Sequence, residues 1–242
     1  MFFVLKSSRD KFLTHRRYTH DNVQHLVGKT RYKDLTTTLF DLQNGLQHYE
    51  IDGNCSTLII TGGETTTTAL SATLYCPTQN ENAKRKVLGE IRSTVNSFGG
   101  LSSISVNQPK YLSACINYAL RNFSPGPAVL LRRVPQGWTL HATASIAAAD
   151  TLSIQASFIP EQWLGDPVYQ NDDHHAMRAF SYGHRNCIGH DLAWLEMRLV
   201  LPRLIWEFDW ELAPGSDRWK DVLVFKACST KPLKIKFTPA LR

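Results

Sequence analysis

The sequence predicts a mainly α fold with a minor antiparallel β part, and three observations carry that prediction. Apolar residues recur at helical spacing through several long runs. Short alternating apolar stretches, broken by glycine, proline and aspartate, lie between and after those runs, as small antiparallel strands require. No internal repeat or low-complexity linker divides the chain, so residues 1–242 read as a single domain. A composition of 43% hydrophobic and 20% charged residues is that of an ordinary globular protein and excludes a disordered tail.

Residues 6–29 (KSSRDKFLTHRRYTHDNVQHLVGK) are helix-permissive and basic, with Phe12, Tyr18, Val23 and Leu26 near helical spacing, as a solvated basic helix face would have. Residues 32–49 carry weaker helical patterning around Leu35, Leu39, Phe40, Leu42 and Leu46. Asn54 is the expected cap of a long helix reaching Leu74, with Pro77 as its stop. Within it, TLIITGGETTTTALS runs against propensity, since each glycine costs roughly 1 kcal/mol relative to alanine and threonine is a poor interior helix former. Such a misfit points to a functional groove, where glycine admits close approach and threonine offers hydroxyls; a strand or threonine-rich loop is the alternative. The segment lacks the lysine that a phosphate-binding loop needs.

Residues 80–98 read as a charged surface helix, and residues 109–122 as another that stops before Pro125-Gly126-Pro127. The stretch AVLLRRVPQGWTLHATASIAAADTLSIQ, split by Gly137 and Asp150, reads as the minor sheet. A loop-rich passage through Pro160, Pro167 and Asp172-Asp173 leads to FSYGHRNCIGHD. His174-His175 has no third ligand at helical spacing and reads as a solvated loop. Residues 192–206 are helical apart from Pro202, which removes a backbone hydrogen bond at a cost of about 3 kcal/mol or more. The segments WELAP and KPLKIKFTP close the chain as strands.

The net charge of +6 and pI near 9.1 suit either a docking face for an acidic partner or a diffuse positive excess. The five cysteines, Cys55, Cys76, Cys115, Cys187 and Cys228, are odd in number, widely spaced and without a CxxC pair, which favours a reducing compartment. The opening MFFVLKSSRDK is too short in apolar residues for a signal-peptide core. Nowhere is there an uninterrupted apolar run of about 18 residues, so the sequence predicts no membrane span.

The strongest chemical signal is Phe180-Ser181-Tyr182-Gly183-His184-Arg185-Asn186-Cys187-Ile188-Gly189, immediately before a helix. A cysteine there lies near the positive end of a helix dipole and close to an arginine, and both favour thiolate over thiol. Glycines would let the loop wrap closely around the sulfur, with backbone N–H groups directed at it. This segment resembles the FxxGxRxCxG signature of the cytochrome P-450 family at every fixed position. The resemblance implies heme b as cofactor, Cys187 as the axial thiolate ligand of its iron, Arg185 on a heme propionate and Phe180 beside the sulfur.

Thr61-Gly62-Gly63-Glu64-Thr65-Thr66 is similar to the family's AGxET(T) oxygen-activation motif, with threonine in place of alanine. By that resemblance Thr65 supplies the hydroxyl that stabilises bound dioxygen, and Glu64 is the acid that feeds it protons; an acid beside an alcohol on a glycine-bearing helix is suited to such a relay. Arg132, after the Pro125-Gly126-Pro127 turn, matches a propionate-binding arginine. The family's ExxR motif falls on Tyr118-Ala119-Leu120-Arg121, which keeps the arginine, also assigned to cofactor binding, and loses the glutamate. Its PERW-like segment reads Pro160-Glu161-Gln162-Trp163, with Gln162 in place of the arginine. Arg121 therefore needs a new partner, and neighbouring Glu161 is the candidate if its side chain turns inward. The stretch between Ile154 and Phe158 is shorter than the family's, which carries a further helix there.

The resemblance extends over nearly the whole chain but over only the C-terminal half of a family member, beginning just before the oxygen-activation helix. It implies a truncated cytochrome P-450 fold without the N-terminal anchor, the large N-terminal sheet or the elements that cover the substrate pocket. ACINYALRNFSPGP, FIPEQWLGD and NCIGHDLAWLEMRL are most similar to fungal microsomal members that oxidise secondary metabolites. The implied function is a heme-thiolate monooxygenase acting on an apolar small molecule, with dioxygen and an NADPH-dependent reductase as partners and no nucleic acid. Arg185 and Arg198 would contribute to the reductase-docking face. The implied location is the cytosolic surface of the endoplasmic reticulum, or the cytoplasm for a chain without an anchor. The altered charge network leaves a second function open, that of a truncated, catalytically inactive remnant that holds heme weakly or not at all.

Overall fold

The computed structural model of the chain describes residues 13–15, 17–22, 47–94, 109–126, 158–217, 219, 223–224, 228–229 and 232–240. The expected minor sheet at residues 128–155, Arg132 and the shortened stretch before Phe158 lie outside the described residues. Those that are described form a mainly helical structure with small antiparallel β elements. None of their helices is long and apolar enough to cross a membrane.

The longest helix, α1, spans His48–Tyr75 and so begins six residues before the expected Asn54 cap. Its start is fixed by Glu50, whose Oε2 accepts the Gln47 backbone N–H at 2.7 Å while the Gln47 carbonyl accepts the Glu50 and Ile51 N–H groups. This is the backward-reaching half of a capping box, and it leaves Asn54 exposed inside the helix. The threonines reconcile themselves with helix by bonding back along it: Thr57 to the Gly53 carbonyl (2.9 Å), Thr61 to Thr57 (2.7 Å) and Thr73 to Ala69 (2.8 Å). A helix rather than a strand or loop therefore carries the glycine-threonine segment.

The chain divides into two compact units, Met1–Glu64 and Thr65–Arg242. In the first, residues 13–15 and 17–22 are helical, and His15 and His20 bond the α1 residues Ser56 and Asp52, each at 2.9 Å.

In the second unit, α1 ends where Pro77 opens the short 3-10 turn Cys76–Gln79. Helices α2 (Glu81–Thr94) and α3 (Lys110–Asn122) follow, close to the predicted bounds. The C-terminal helix α4 spans His190–Glu207 and continues through Pro202, which is buried. The core is built from Ala69, Ala72 and Tyr75 of α1, Val87 and Ile91 of α2, Leu112, Cys115 and Ile116 of α3, and Met197, Leu201 and Ile205 of α4. Each of the Val, Leu, Ile and Met side chains among these contributes roughly 1.5–3 kcal/mol when fully buried.

Strand β1 (Phe208–Leu212) leaves α4 directly and pairs antiparallel with β4 (Ile235–Pro239), Trp210 opposite Phe237. The short strands β2 (Leu223–Val224) and β3 (Cys228–Ser229) form a second antiparallel pair. The predicted closing strands are these two outer ones. Trp210 anchors its sheet by donating Nε1–H to the Leu74 carbonyl at 2.9 Å in the core. Arg92 of α2 donates to the Ile205 and Phe208 carbonyls at 3.2 and 3.0 Å and to Asp209 at 2.9 Å, placing a cation on the negative end of α4.

Candidate functional site

The Cys187 loop is shaped by its backbone before any side chain contributes. Gly183 sits at φ +79, a conformation that L side chains rarely adopt, and Ser181 shares the left-handed region at φ 64. These two residues fold the loop back so that the Cys187 N–H reaches the Phe180 carbonyl at 2.9 Å and the Asn186 N–H reaches the Gly183 carbonyl at 3.0 Å. The His190 N–H then bonds the Cys187 carbonyl at 3.3 Å as α4 begins. The Cys187 N–H is thus committed to a carbonyl rather than to its own sulfur. Gly189 is less demanding than Gly183: a Cβ there would lie 3.8 Å from the Cys187 sulfur, an ordinary contact.

Cys187 is exposed, whereas Cys55, Cys76 and Cys115 are buried. Burial pushes the Cys76 and Cys115 thiols far above their ordinary range, which makes them inert core groups. The loop around Cys187 is open, with Ile188 96% exposed and Tyr182, His184, Arg185 and Asn186 also exposed. Arg185, two residues away, is exposed and makes no ion pair with a described residue. Phe180 is half-buried, and its ring meets His190 edge-to-face at 4.6 Å while Asp191 bonds His190 Nδ1 at 2.7 Å. That His190–Asp191 brace on Phe180 was not singled out from the sequence, because nothing local marks a histidine as a ring support.

These residues fit a heme. A single exposed thiol at the start of a helix, with an arginine two residues before it, is the donor set that an iron porphyrin takes from a protein. A flat apolar macrocycle with anionic edges matches an open sulfur flanked by Tyr182, Ile188 and the Arg185 guanidinium.

Glu64 and Thr65 stand in sequence on α1, with Glu64 exposed and Thr65 half-buried. Gly62 and Gly63 are exposed as well, and a Cβ on either would meet nothing within 4 Å. His174 and His175 are exposed, as expected of a solvated loop, although His174 stacks edge-to-face on Trp163 at 4.7 Å.

Arg121 finds a different partner from the one its sequence context suggests. Its Nη1 donates to Gln162 Oε1 at 2.5 Å, and Gln162 is 3% exposed. Glu161 turns elsewhere, accepting from Lys86 Nζ at 2.7 Å and from the Tyr111 hydroxyl at 3.1 Å. Its carboxyl is disfavoured as an ion by burial, but the hydrogen bonds from Lys86 and Tyr111 outweigh burial and hold it below the usual carboxylate range. Tyr118, in the lost glutamate's position, is buried and packs edge-to-face on Phe158 at 4.7 Å. An amide oxygen and an aromatic contact thus replace a buried charge network. Arg198 lies 4.6 Å over the Trp194 ring with its Nε buried and without a hydrogen-bond partner among the described residues, so part of its charge is turned inward.

A helical protein whose exposed cysteine opens its C-terminal helix, behind a glycine-bearing loop, has the frame of a heme-thiolate protein. The sequence pattern of the cytochrome P-450 family matches residues 3–153 and 156–239, and the chain belongs to that family. It is 64% identical to the cytochrome P-450 monooxygenase cpaH of Aspergillus oryzae over 258 residues, covering 100% of this chain and 51% of cpaH. It is 35% identical over 191 residues to the cytochrome P-450 monooxygenase aclL of the same species, covering 73% of this chain and 39% of aclL. It is 33% identical over 213 residues to the cytochrome P-450 monooxygenase astA of Talaromyces wortmannii, covering 82% of this chain and 43% of astA. The chain therefore spans about half the length of these relatives, or less.

Proposed function

We propose that this chain is the heme-bearing, C-terminal portion of a monooxygenase that oxidises an apolar small molecule in fungal secondary metabolism. The observation that carries the reading is the exposed Cys187 sulfur at the start of α4, inside a loop that fits the family signature at every fixed position. Its similarity to fungal monooxygenases supports the same reading. Cys187 Sγ would hold the iron of heme b, Arg185 and Arg132 would be the cations for its propionates, Phe180 would pack beside the sulfur, and Arg121 would support the cofactor site from α3. Heme, when bound, supplies dioxygen activation with electrons from an NADPH-dependent reductase. The chain's own residues would bind and orient: Tyr182 and Ile188 would offer apolar contact in the cysteine loop, the Glu64 carboxyl would be the proton source, and the Thr65 hydroxyl would be its hydrogen-bonding neighbour on α1. Arg185 and the outward part of Arg198 contribute to the reductase's docking face, and the reaction takes place at the cytosolic surface of the endoplasmic reticulum.

The Arg121–Gln162 pair, a guanidinium met by an uncharged amide rather than a carboxylate, favours a second reading, a catalytically inactive remnant with weak heme affinity. The test is the absorption spectrum of the heme-reconstituted, reduced, carbon-monoxide-treated protein beside that of Cys187→Ala. The long-wavelength Soret band of a thiolate-ligated iron, lost in the variant, is the expected result. A band of the shorter-wavelength type, or no heme uptake, would sink the monooxygenase reading and leave the remnant.

A further inference from the structure

The cysteine loop holds a conformation that its residues do not favour by themselves. Ser181 sits at φ 64, where a residue with a Cβ is strained, so the surroundings must hold it there. Three contacts close a circuit around that span. The Phe180 carbonyl accepts the Cys187 N–H at 2.9 Å, and the Cys187 carbonyl accepts the His190 N–H at 3.3 Å. The third contact joins side chains, the Phe180 and His190 rings meeting edge-to-face at 4.6 Å and 78°. Phe180 also packs against the core of its unit, so His190 ties the loop to the interior through that ring. Asp191 aims the imidazole, its Oδ1 accepting from His190 Nδ1 at 2.7 Å. The His190 side chain is 46% exposed and that of Asp191 fully so, which means that neither residue is placed there to fill the core.

We propose that His190 is a positioning residue of the cysteine site, aimed by Asp191, whose ring holds Phe180 and with it the loop that presents the Cys187 sulfur. The role requires an aromatic ring at position 190 rather than a charge. A loop already fixed in one conformation presents its sulfur at less cost than one that must be ordered on binding. The purpose of the brace rests on the reading of Cys187 as the iron ligand, but its contacts belong to the heme-free chain and are tested there.

The experiment follows iodoacetamide labelling of Cys187 by mass spectrometry in the heme-free full chain, for wild type, His190→Ala, His190→Phe and Asp191→Ala. His190→Ala should raise the labelling rate constant about two- to tenfold, the range that loss of one aromatic pair allows for loop opening. His190→Phe keeps the ring and should label like wild type, and Asp191→Ala should lie between. In heme-reconstituted protein the same order is expected in the rate at which the reduced carbon-monoxide complex loses its thiolate-type Soret band. Far-ultraviolet circular dichroism should be alike in all four. Should His190→Ala lose its helical signal, Asp191→Ala reads out the same brace. Failure of wild type to take up heme ends the monooxygenase reading and leaves the brace to be decided by the labelling order. Equal labelling rates in wild type and His190→Ala, or a His190→Phe that labels as fast as His190→Ala, overturn the proposal.

Discussion

At the residue scale, Cys187 differs from Cys55, Cys76 and Cys115 by exposure, and reactivity should follow. Alkylation of the native protein is expected to modify Cys187 rapidly and Cys76 and Cys115 only after denaturation, because burial keeps those two thiols protonated. Mass spectrometry of timed iodoacetamide reactions checks this, and fast labelling of Cys76 or Cys115 in the native protein would contradict it. Gln162 offers a second residue-level test. Removing its amide with Gln162→Ala leaves the Arg121 guanidinium without its 2.5 Å partner and should cost about 1.5–3 kcal/mol in urea denaturation. Gln162→Arg should be worse still, since it sets two guanidinium groups together. Adding Tyr118→Glu should restore about 1–3 kcal/mol of favourable coupling in a double-mutant cycle. Additivity in that cycle would mean that positions 118, 121 and 162 no longer share a network in this chain.

At the element scale, α3 depends on a neighbour for its start. Pro109 precedes it without a side-chain cap, and Glu90 of α2 supplies the missing acceptor, taking the Tyr111 and Leu112 N–H groups at 2.8 and 2.9 Å. Glu90→Ala is expected to cost about 0.5–2 kcal/mol, the range of a lost N-cap. Glu161 ties the same helices to the PEQW turn through Lys86 and Tyr111, and its carboxyl lies below the ordinary value in the folded state. A depressed folded value means that its stabilisation is present above the unfolded carboxylate's titration near about 4.3 and is lost as pH falls through the folded one. Denaturation curves should therefore separate wild type from Glu161→Gln at neutral pH and converge in acid; a gap that stays constant would exclude the linkage. The two faces of α4 give a further contrast. Leu201→Ala should cost about 2–5 kcal/mol as a core cavity, whereas Leu195→Ala should stay within about 0.5 kcal/mol in the chain by itself.

At the scale of the whole molecule, much of the helical architecture could be read from the chain, since the apolar periodicity and the stops at Pro77 and Pro125 are local properties. The start of α1 could not, because Gln47 is a weak cap by type and becomes one only when Glu50 folds back onto its N–H. The cysteine loop was legible as a pattern of fixed residues, and so were the candidate roles of Glu64 and Thr65 by resemblance. Arg121's partner was not legible: two adjacent side chains, Glu161 and Gln162, offered it an acceptor, and the turn at Pro160–Trp163 sends one toward Lys86 and the other inward. Nor did the sequence separate the two faces of α4, whose leucines look alike until packing buries one stripe and leaves the other open. The sequence by itself determined the family, the thiol that opens α4 and the order of the helices, because these rest on residue types and short spacings. Tertiary structure alone decided which charges meet, which cysteines are buried and which apolar face of α4 stays exposed, because those depend on side chains distant in sequence arriving at the same place.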